Sequence, residues 1–416
     1  MKKSSSDGRK RAVIYWVAVA VCIILPVVGY FGIGAGEGGF YAPADGSHYY
    51  SATVTDIVDT FFEYGEGGEL LSSDTVFSAR LTSGEMKGEI VEVYQNYSSY
   101  TPFNPKTVEV GDRVIVARFD GVEEWNFIDF VRADALLILA LLFALMLVIF
   151  GRKKGLKTVL SLSLTLVSIF FVFMPAILLG GNIYFWAVAV CVYMIFMTLI
   201  ITDGVSAMSL SASIGCTGGV LASLLVTFIT DAFINITGNA DPHAIYLLYI
   251  GEGLDVRALI YASIIIGSVG AVMDVAVDIS ASLKELAQKL ERPTMKELFT
   301  SGINIGRDVI GTMSNTLVLA YIGGSMCSLL LYFYNNYANA VYLFNIEIIV
   351  VELLQILVGS MGILLTLPLT ALVSAYIYTK KPPKPRCKGE KKSVSDEFCD
   401  ILESAGTFGE IEDEKK

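Results

Sequence analysis

The sequence predicts an α-helical polytopic membrane protein of about eight transmembrane helices. A small all-β, OB-like domain is expected outside the membrane, between the first and second of them. Three observations lead there. The 416 residues are 54% hydrophobic and only 17% charged, whereas soluble domains carry about a quarter charged residues. Apolar runs of about 17 to 25 residues, the length that crosses hydrocarbon, recur eight times. Between the first two runs lies a stretch with the two-residue alternation of strands instead.

The apolar runs cover roughly 12–30, 134–150, 157–179, 183–201, 205–230, 257–279, 309–333 and 349–379. The last is long for a hydrocarbon core of about 30 Å, so it is expected to tilt, to kink at Pro368 or to begin at the outer interface. Lys and Arg cluster on alternate loops, which sets orientation. They occur at Lys2, Lys3, Arg9, Lys10 and Arg11, at Arg152, Lys153, Lys154 and Lys157, from Lys284 to Arg307, and from Lys380 to Lys392. The opposite short loops hold only Arg257. Both termini are therefore expected in the cytoplasm. The first run exceeds a usual signal-peptide core and lacks a clean A-x-A site after it, so it reads as an uncleaved anchor. Neither end carries a lipidation motif.

After the Gly-rich linker Gly32 to Gly39, strand alternation runs through Tyr50–Val54, Glu89–Val93 and Val114–Phe119, with turn signals at Gly84, Gly88, Gly111-Asp112 and Asp120-Gly121. From Glu37 to Asp129 there are 17 acidic and five basic residues, a net of −12, which more than accounts for the chain's −11. Such a surface repels nucleic acid and concentrates cations. Solubility beside an anionic membrane explains it as well. The tail divides by sign: 380–392 carries +6 and suits a juxtamembrane segment on anionic lipid, and 393–416 carries −6 and reads as disordered.

Chemistry-bearing residues gather in two spans. On the sixth, steps of 100° per residue put Ser263, Gly267, Ala271, Asp274, Asp278 and Ser282 on one face. On the seventh the same arithmetic groups Asn304, Asp308, Gly311 and Asn315, with Arg307 at the edge. Facing each other as antiparallel neighbours, they would form a buried polar seam, with Asp274 level with Asn315 and Asp278 level with Asp308 and Gly311. Ionisable groups inside a span are costly and usually mark a bundle interior, a cavity or an ion path. Three carboxylates against one guanidinium leave room for a bound cation or a proton. An Arg307–Asp pair that merely pins two helices serves equally well.

The first half of span five is almost wholly small, from Ser206 through Gly218 and Gly219. That composition allows close helix packing or lines a pore, and packing is the commoner cause. Gly218, Gly219, Gly267, Gly270 and Gly311 are the expected packing or hinge positions. Gly323-Gly324-Ser325 and Gly359-Ser360-Met361-Gly362 are further hinge candidates. At the outer ends, Asp231, Asp241, Glu252, Asp255, Glu347, Glu352 and Gln355 read as solvated helix ends rather than a vestibule.

Enzyme signatures are weak. Gly34 to Gly39 formally matches G-x-G-x-x-G but follows a membrane run, so it reads as linker. The two histidines, His48 and His243, lie far apart in sequence, and the six cysteines have no metal-ligand spacing. No catalytic residue, cofactor or metal is expected. Asp274 and Asp278 sit one turn apart on a single helix, unlike a dyad converging from two elements.

Two stretches resemble the YibE/F family of bacterial multi-pass membrane proteins: Gly270-Ala271-Val272-Met273-Asp274-Val275-Ala276 with Ile279–Ser282, and Glu297–Asp308 continuing through Gly311–Leu317. The resemblance extends from the outer domain, through Val110–Val114, to the end of the last span. It implies a cytoplasmic-membrane protein in which these motifs matter, and it leaves the substrate open. Asp278 stands where a small or polar residue is expected, so Asp274 carries more weight. The expected function is a secondary transporter or permease for an ion or small solute, working along the seam. The alternative is a non-transporting scaffold or sensor whose acidic outer domain binds a protein partner. The bilayer is a partner in either case, and nucleic acid in neither.

Overall fold

The structure, a computed structural model, describes residues 2–32, 48–64, 70–98, 106–119, 121–122, 124–238, 247, 254–290, 292–336 and 339–380. The glycine-rich linker beyond Gly32, Asp241, His243, Glu252 and the tail from 381 onward lie outside them. The chain divides into two compact units, Gly34–Val159 in one and Met1–Ile33 with Leu160–Lys416 in the other.

Among the described residues the first unit holds five strands: β1 (His48–Tyr64), β2 (Leu70–Leu81), β3 (Ile90–Ser98), β4 (Arg113–Arg118) and β5 (Trp125–Phe130). They close into a barrel in the order β1-β2-β3-β5-β4. All neighbours are antiparallel except β3 and β5. Register shifts between Val54 and Asp56 and between Ile57 and Asp59 bend β1. One strand can thus pair with β4 through its first residues and with β2 along the rest. Ala52, Val54, Phe77, Ala79, Leu81, Val93, Val114 and Val116 fill the interior, each at 1% exposure or less. Gln95 is buried there with both ends satisfied, donating to the Lys106 carbonyl (2.8 Å) and accepting from the Val108 N–H (3.1 Å). The expected turn glycines Gly84, Gly88, Gly111 and Gly121 all take positive φ. Gly84 is held most tightly, because a Cβ there would meet the Tyr50 ring.

Helix α2 (Ala133–Ser168) breaks at Arg152, where φ is 49° and ψ −125°. A Cβ on Gly155 would lie 2.6 Å from the Leu147 carbonyl carbon. A continuous helix separates residues eight apart by about 12 Å. The chain therefore reverses at the basic turn Arg152-Lys153-Lys154, between the two apolar runs expected there.

The second unit contains α1 (Lys2–Gly32), a π turn (Ile169–Phe173), α3 (Met174–Leu178), α4 (Ile183–Asp203), α5 (Ala207–Ile234), α6 (Val256–Lys289), α7 (Met295–Gly324), α8 (Met326–Asn336), α9 (Ala340–Leu343) and α10 (Glu347–Lys380). Among the described residues six helices are long and apolar enough to cross a membrane, with Ala133–Leu178 counted once; α7 with α8 makes a seventh, broken by a 64° bend. That bend falls at Gly323-Gly324-Ser325, one of the two expected hinges. The other, Gly359–Gly362, stays helical, and its glycines serve packing instead. Helix α7 starts well before the expected apolar run. Thr294 and Glu297 close a reciprocal capping box that begins it at Met295.

Pro26 lies inside α1 and has no N–H to give the Cys22 carbonyl four residues back. Tyr193 of α4 donates its hydroxyl to that carbonyl at 2.6 Å. Tyr193→Phe should leave the carbonyl unsatisfied in an apolar setting and destabilise the protein by about 1–2 kcal/mol. Thermal unfolding of the detergent-solubilised variant reads this directly, and an unchanged midpoint would refute it.

Candidate functional site

Helix α10 is the centre of the second unit, packing against α5, α6 and α7. Small residues make these approaches possible. A Cβ on Gly215 would lie 2.7 Å from Thr370 Cα, and one on Gly219 would lie 2.9 Å from Thr366 Cβ and 3.1 Å from a Val272 methyl. Gly218 faces Leu369. The small half of span five is thus a packing surface, as its composition suggested.

This contact also carries the buried polar groups. Ser211, Ser223, Ser268, Ser280, Thr366, Thr370 and Ser374 are all fully buried. Tyr378, 1% exposed, donates to the Ser280 carbonyl (3.0 Å) and lies 3.4 Å from the Ser211 hydroxyl; Ser280 and Ser374 hydroxyls are 3.1 Å apart. Most of the other hydroxyls bond the backbone of their own helix, as Ser223 does to Gly219 (3.1 Å) and Thr366 to Gly362 (2.7 Å). Thr370 Oγ1 has no partner among the described residues. The α10 side of this seam was missed from sequence. A hydroxyl at every fourth position, Thr366, Thr370, Ser374 and Tyr378, is the signal that could have found it.

The expected seam between spans six and seven lies elsewhere. Asp274 and Asp278 share one face of α6 with Ser263, Gly267 and Gly270, as the helical arithmetic requires, and that face is exposed. Asn304, Arg307, Asp308, Gly311 and Asn315 of α7 are exposed too. Among the described residues none of the four charged side chains forms an ion pair. The helices meet instead through apolar neighbours. A Cβ on Gly302 would lie 3.0 Å from a Leu283 methyl, and one on Gly306 would lie 3.3 Å from Ile279. Helical periodicity fixes which residues share a face, and apolar packing decides which face turns inward. Here Val272, Val275, Ala276, Ile279 and Leu283 won the interior. One residue along each antiparallel helix from the Gly306–Ile279 contact puts Asp278 level with Arg307, and further steps of four put Asp274 level with Gly311 and Gly270 with Asn315. The expected pairing of Asp274 with Asn315 is out by one turn. Gly267 packs against Tyr321, whereas Gly270 and Gly311 have nothing within 4 Å.

A family model described as YibE/F-like protein matches residues 139–380, more than half of the chain. The chain belongs to the YibE/F-like family. The matched range contains both motif stretches and starts inside α2, so the barrel of this YibE/F-like protein lies outside it. The resemblance was expected to reach into the outer domain, and the match is narrower. No curated protein matches the chain, and no solved structure does.

The acids at these helix ends of this YibE/F-like chain act as fasteners. Asp231 accepts from Arg257 Nε (3.0 Å), from a second nitrogen of the same guanidinium and from the Tyr261 hydroxyl, joining α5 to α6. Glu347 accepts from the Thr237 N–H (2.9 Å) and hydroxyl (2.6 Å) and from the Gly238 N–H (2.7 Å). Asp255 caps α6 through the Ala258 N–H at 3.0 Å. Glu352 keeps one buried carboxylate oxygen without a partner among the described residues. In that same set, no three His, Cys, Asp or Glu side chains converge as metal ligands would.

Proposed function

We propose that this protein is a permease or secondary transporter for an ion or small solute in a bacterial cytoplasmic membrane. The observation that carries the reading is the pair Asp274 and Asp278, exposed on one face of an apolar, membrane-length helix. Carboxylates at that depth are kept where they contact water, a cation or a counter-charge. In this reading Asp274 is the ionisable coupling residue and Arg307 the counter-charge. Asn304, Asp308 and Asn315 supply further polar contacts, and the bare positions Gly270 and Gly311 leave room beside the carboxylate.

The topology that goes with it has eight crossings and both termini in the cytoplasm. It counts Ala133–Leu178 as two crossings joined at the basic turn Arg152-Lys153-Lys154, which positive charge would hold inside. The barrel then stands outside as an OB-like domain.

Ion flux into proteoliposomes under an imposed pH or cation gradient tests the reading. Wild type should conduct, and Asp274→Asn should lose at least tenfold in rate while eluting as a folded protein. Unchanged flux in a folded Asp274→Asn variant would overturn it.

One observation favours the alternative, a scaffold or sensor. Beyond its pairing with β4, β1 exposes Val58, Phe61, Phe62 and Tyr64 at 53–61%, and an exposed apolar patch of this kind often marks a protein contact. Absence of flux from wild type across a panel of cations and small solutes would move the assignment to that surface.

A further inference from the structure

We infer that the exposed polar face of α6 and α7 is covered by a second copy of this chain, and that Arg307 of one copy meets Asp278 of the other. Asp274 and Asp278 are exposed on α6, which is long and apolar enough to cross a membrane, and Arg307 and Asp308 are exposed on α7 just before its apolar run begins. Lipid is a poor cover for such a face, because charged groups at membrane depth are costly.

The face is complementary to itself. Its α6 half is acidic, with Asp274 and Asp278, and its α7 half carries the stripe's one cation, Arg307, beside Asp308 and the amides of Asn304 and Asn315. In a two-fold pair residue i of one copy contacts j of the other while j contacts i. A two-fold axis along the membrane normal keeps every residue at its own depth. Only groups already level within one chain can therefore meet between two. Asp278 and Arg307 are level, as fixed by the Gly302–Leu283 and Gly306–Ile279 contacts. Asp274 is level with Gly311, which offers no side chain, so its carboxylate would face open space between the copies. A Cβ built on Gly270 or Gly311 would meet nothing within 4 Å, so these positions leave that space unfilled. The inference goes beyond the transport reading, and its test measures assembly rather than flux, so either can fail alone.

Asp278→Cys and Arg307→Cys, placed on separately tagged full-length chains with the six native cysteines replaced, are co-expressed and oxidised in native membranes. A disulfide joining the two tags at about twice 45.1 kDa is expected. Leu225→Cys, on an exposed apolar position of α5, should give none with Arg307→Cys. Wild-type chain carrying one fluorophore per copy, reconstituted at high dilution in liposomes, should bleach in two steps. Single-step bleaching, or a disulfide that forms only within one chain of the double variant, would overturn the inference.

Discussion

Gly219→Val is expected to cost about 3 kcal/mol or more, at the upper end of overpacking a tight core. Gly219 lies where α5 meets α6 and α10. The first side-chain atom added there already comes within 2.9 Å of Thr366 Cβ and 3.1 Å of a Val272 methyl, and both partners are fully buried. Neither can move aside. Thr366 is tied to the Gly362 carbonyl of its own helix at 2.7 Å, and Val272 sits in the largest apolar cluster of the molecule. The helices must separate, and the loss spreads along the neighbouring contacts at Gly215 and Gly362. Thermal unfolding in detergent, compared with Gly311→Ala, measures it. Gly311 stands in open space, so alanine there should leave stability unchanged or add about 0.5–1 kcal/mol through helix propensity. Equal melting of the two variants would refute the packing assignment.

Phe77→Ala should be the most damaging single change in the barrel, at about 3–5 kcal/mol. The ring is fully buried among Val54, Val93, Val114 and Val116 and meets Phe127 edge-on, with centroids 6.4 Å apart. A domain of this size has a net stability of about 4–12 kcal/mol, so losing one central ring removes a large share of it. Urea unfolding of a fragment covering 47–131, followed by far-ultraviolet circular dichroism, would show the midpoint fall steeply. A fragment that keeps its wild-type midpoint would mean that the interior is loose enough to refill the space.

The helices and the barrel were readable because both rest on local pattern. Apolar run length set the helices, and the alternation Val114–Phe119 with the glycines at 84, 88, 111 and 121 set the barrel. Strand β2 was not anticipated: Ser72-Ser73-Asp74-Thr75 in its first half breaks the alternation, and it pairs on both sides with neighbours that sequence alone cannot supply. The direction of the polar face of α6 was not readable either. In water, apolar residues point in and polar ones out. In a bilayer both the lipid side and the interior accept apolar groups, so the pattern of Asp274 and Asp278 names a face without aiming it. The hydroxyls of α10 escaped for a related reason. A Thr or Ser inside an apolar run bonds its own backbone and barely lowers hydropathy, so 349–379 read as uniform.

That self-bonding has a consequence for how this interior can vary. Ser223 and Thr366 direct their hydroxyls to carbonyls four residues back on the same helix, so the neighbouring helix receives volume from them and little else. Exchange of Ser223 for Ala, or of Thr366 for Val, preserves nearly all of what the partner helix feels, and any enlargement does not. Ser211, Ser280, Ser374 and Tyr378, whose hydrogen bonds cross between helices, tie identity to position. The three-helix contact is accordingly permissive in chemistry and strict in size, able to drift in composition while its helix spacing stays fixed.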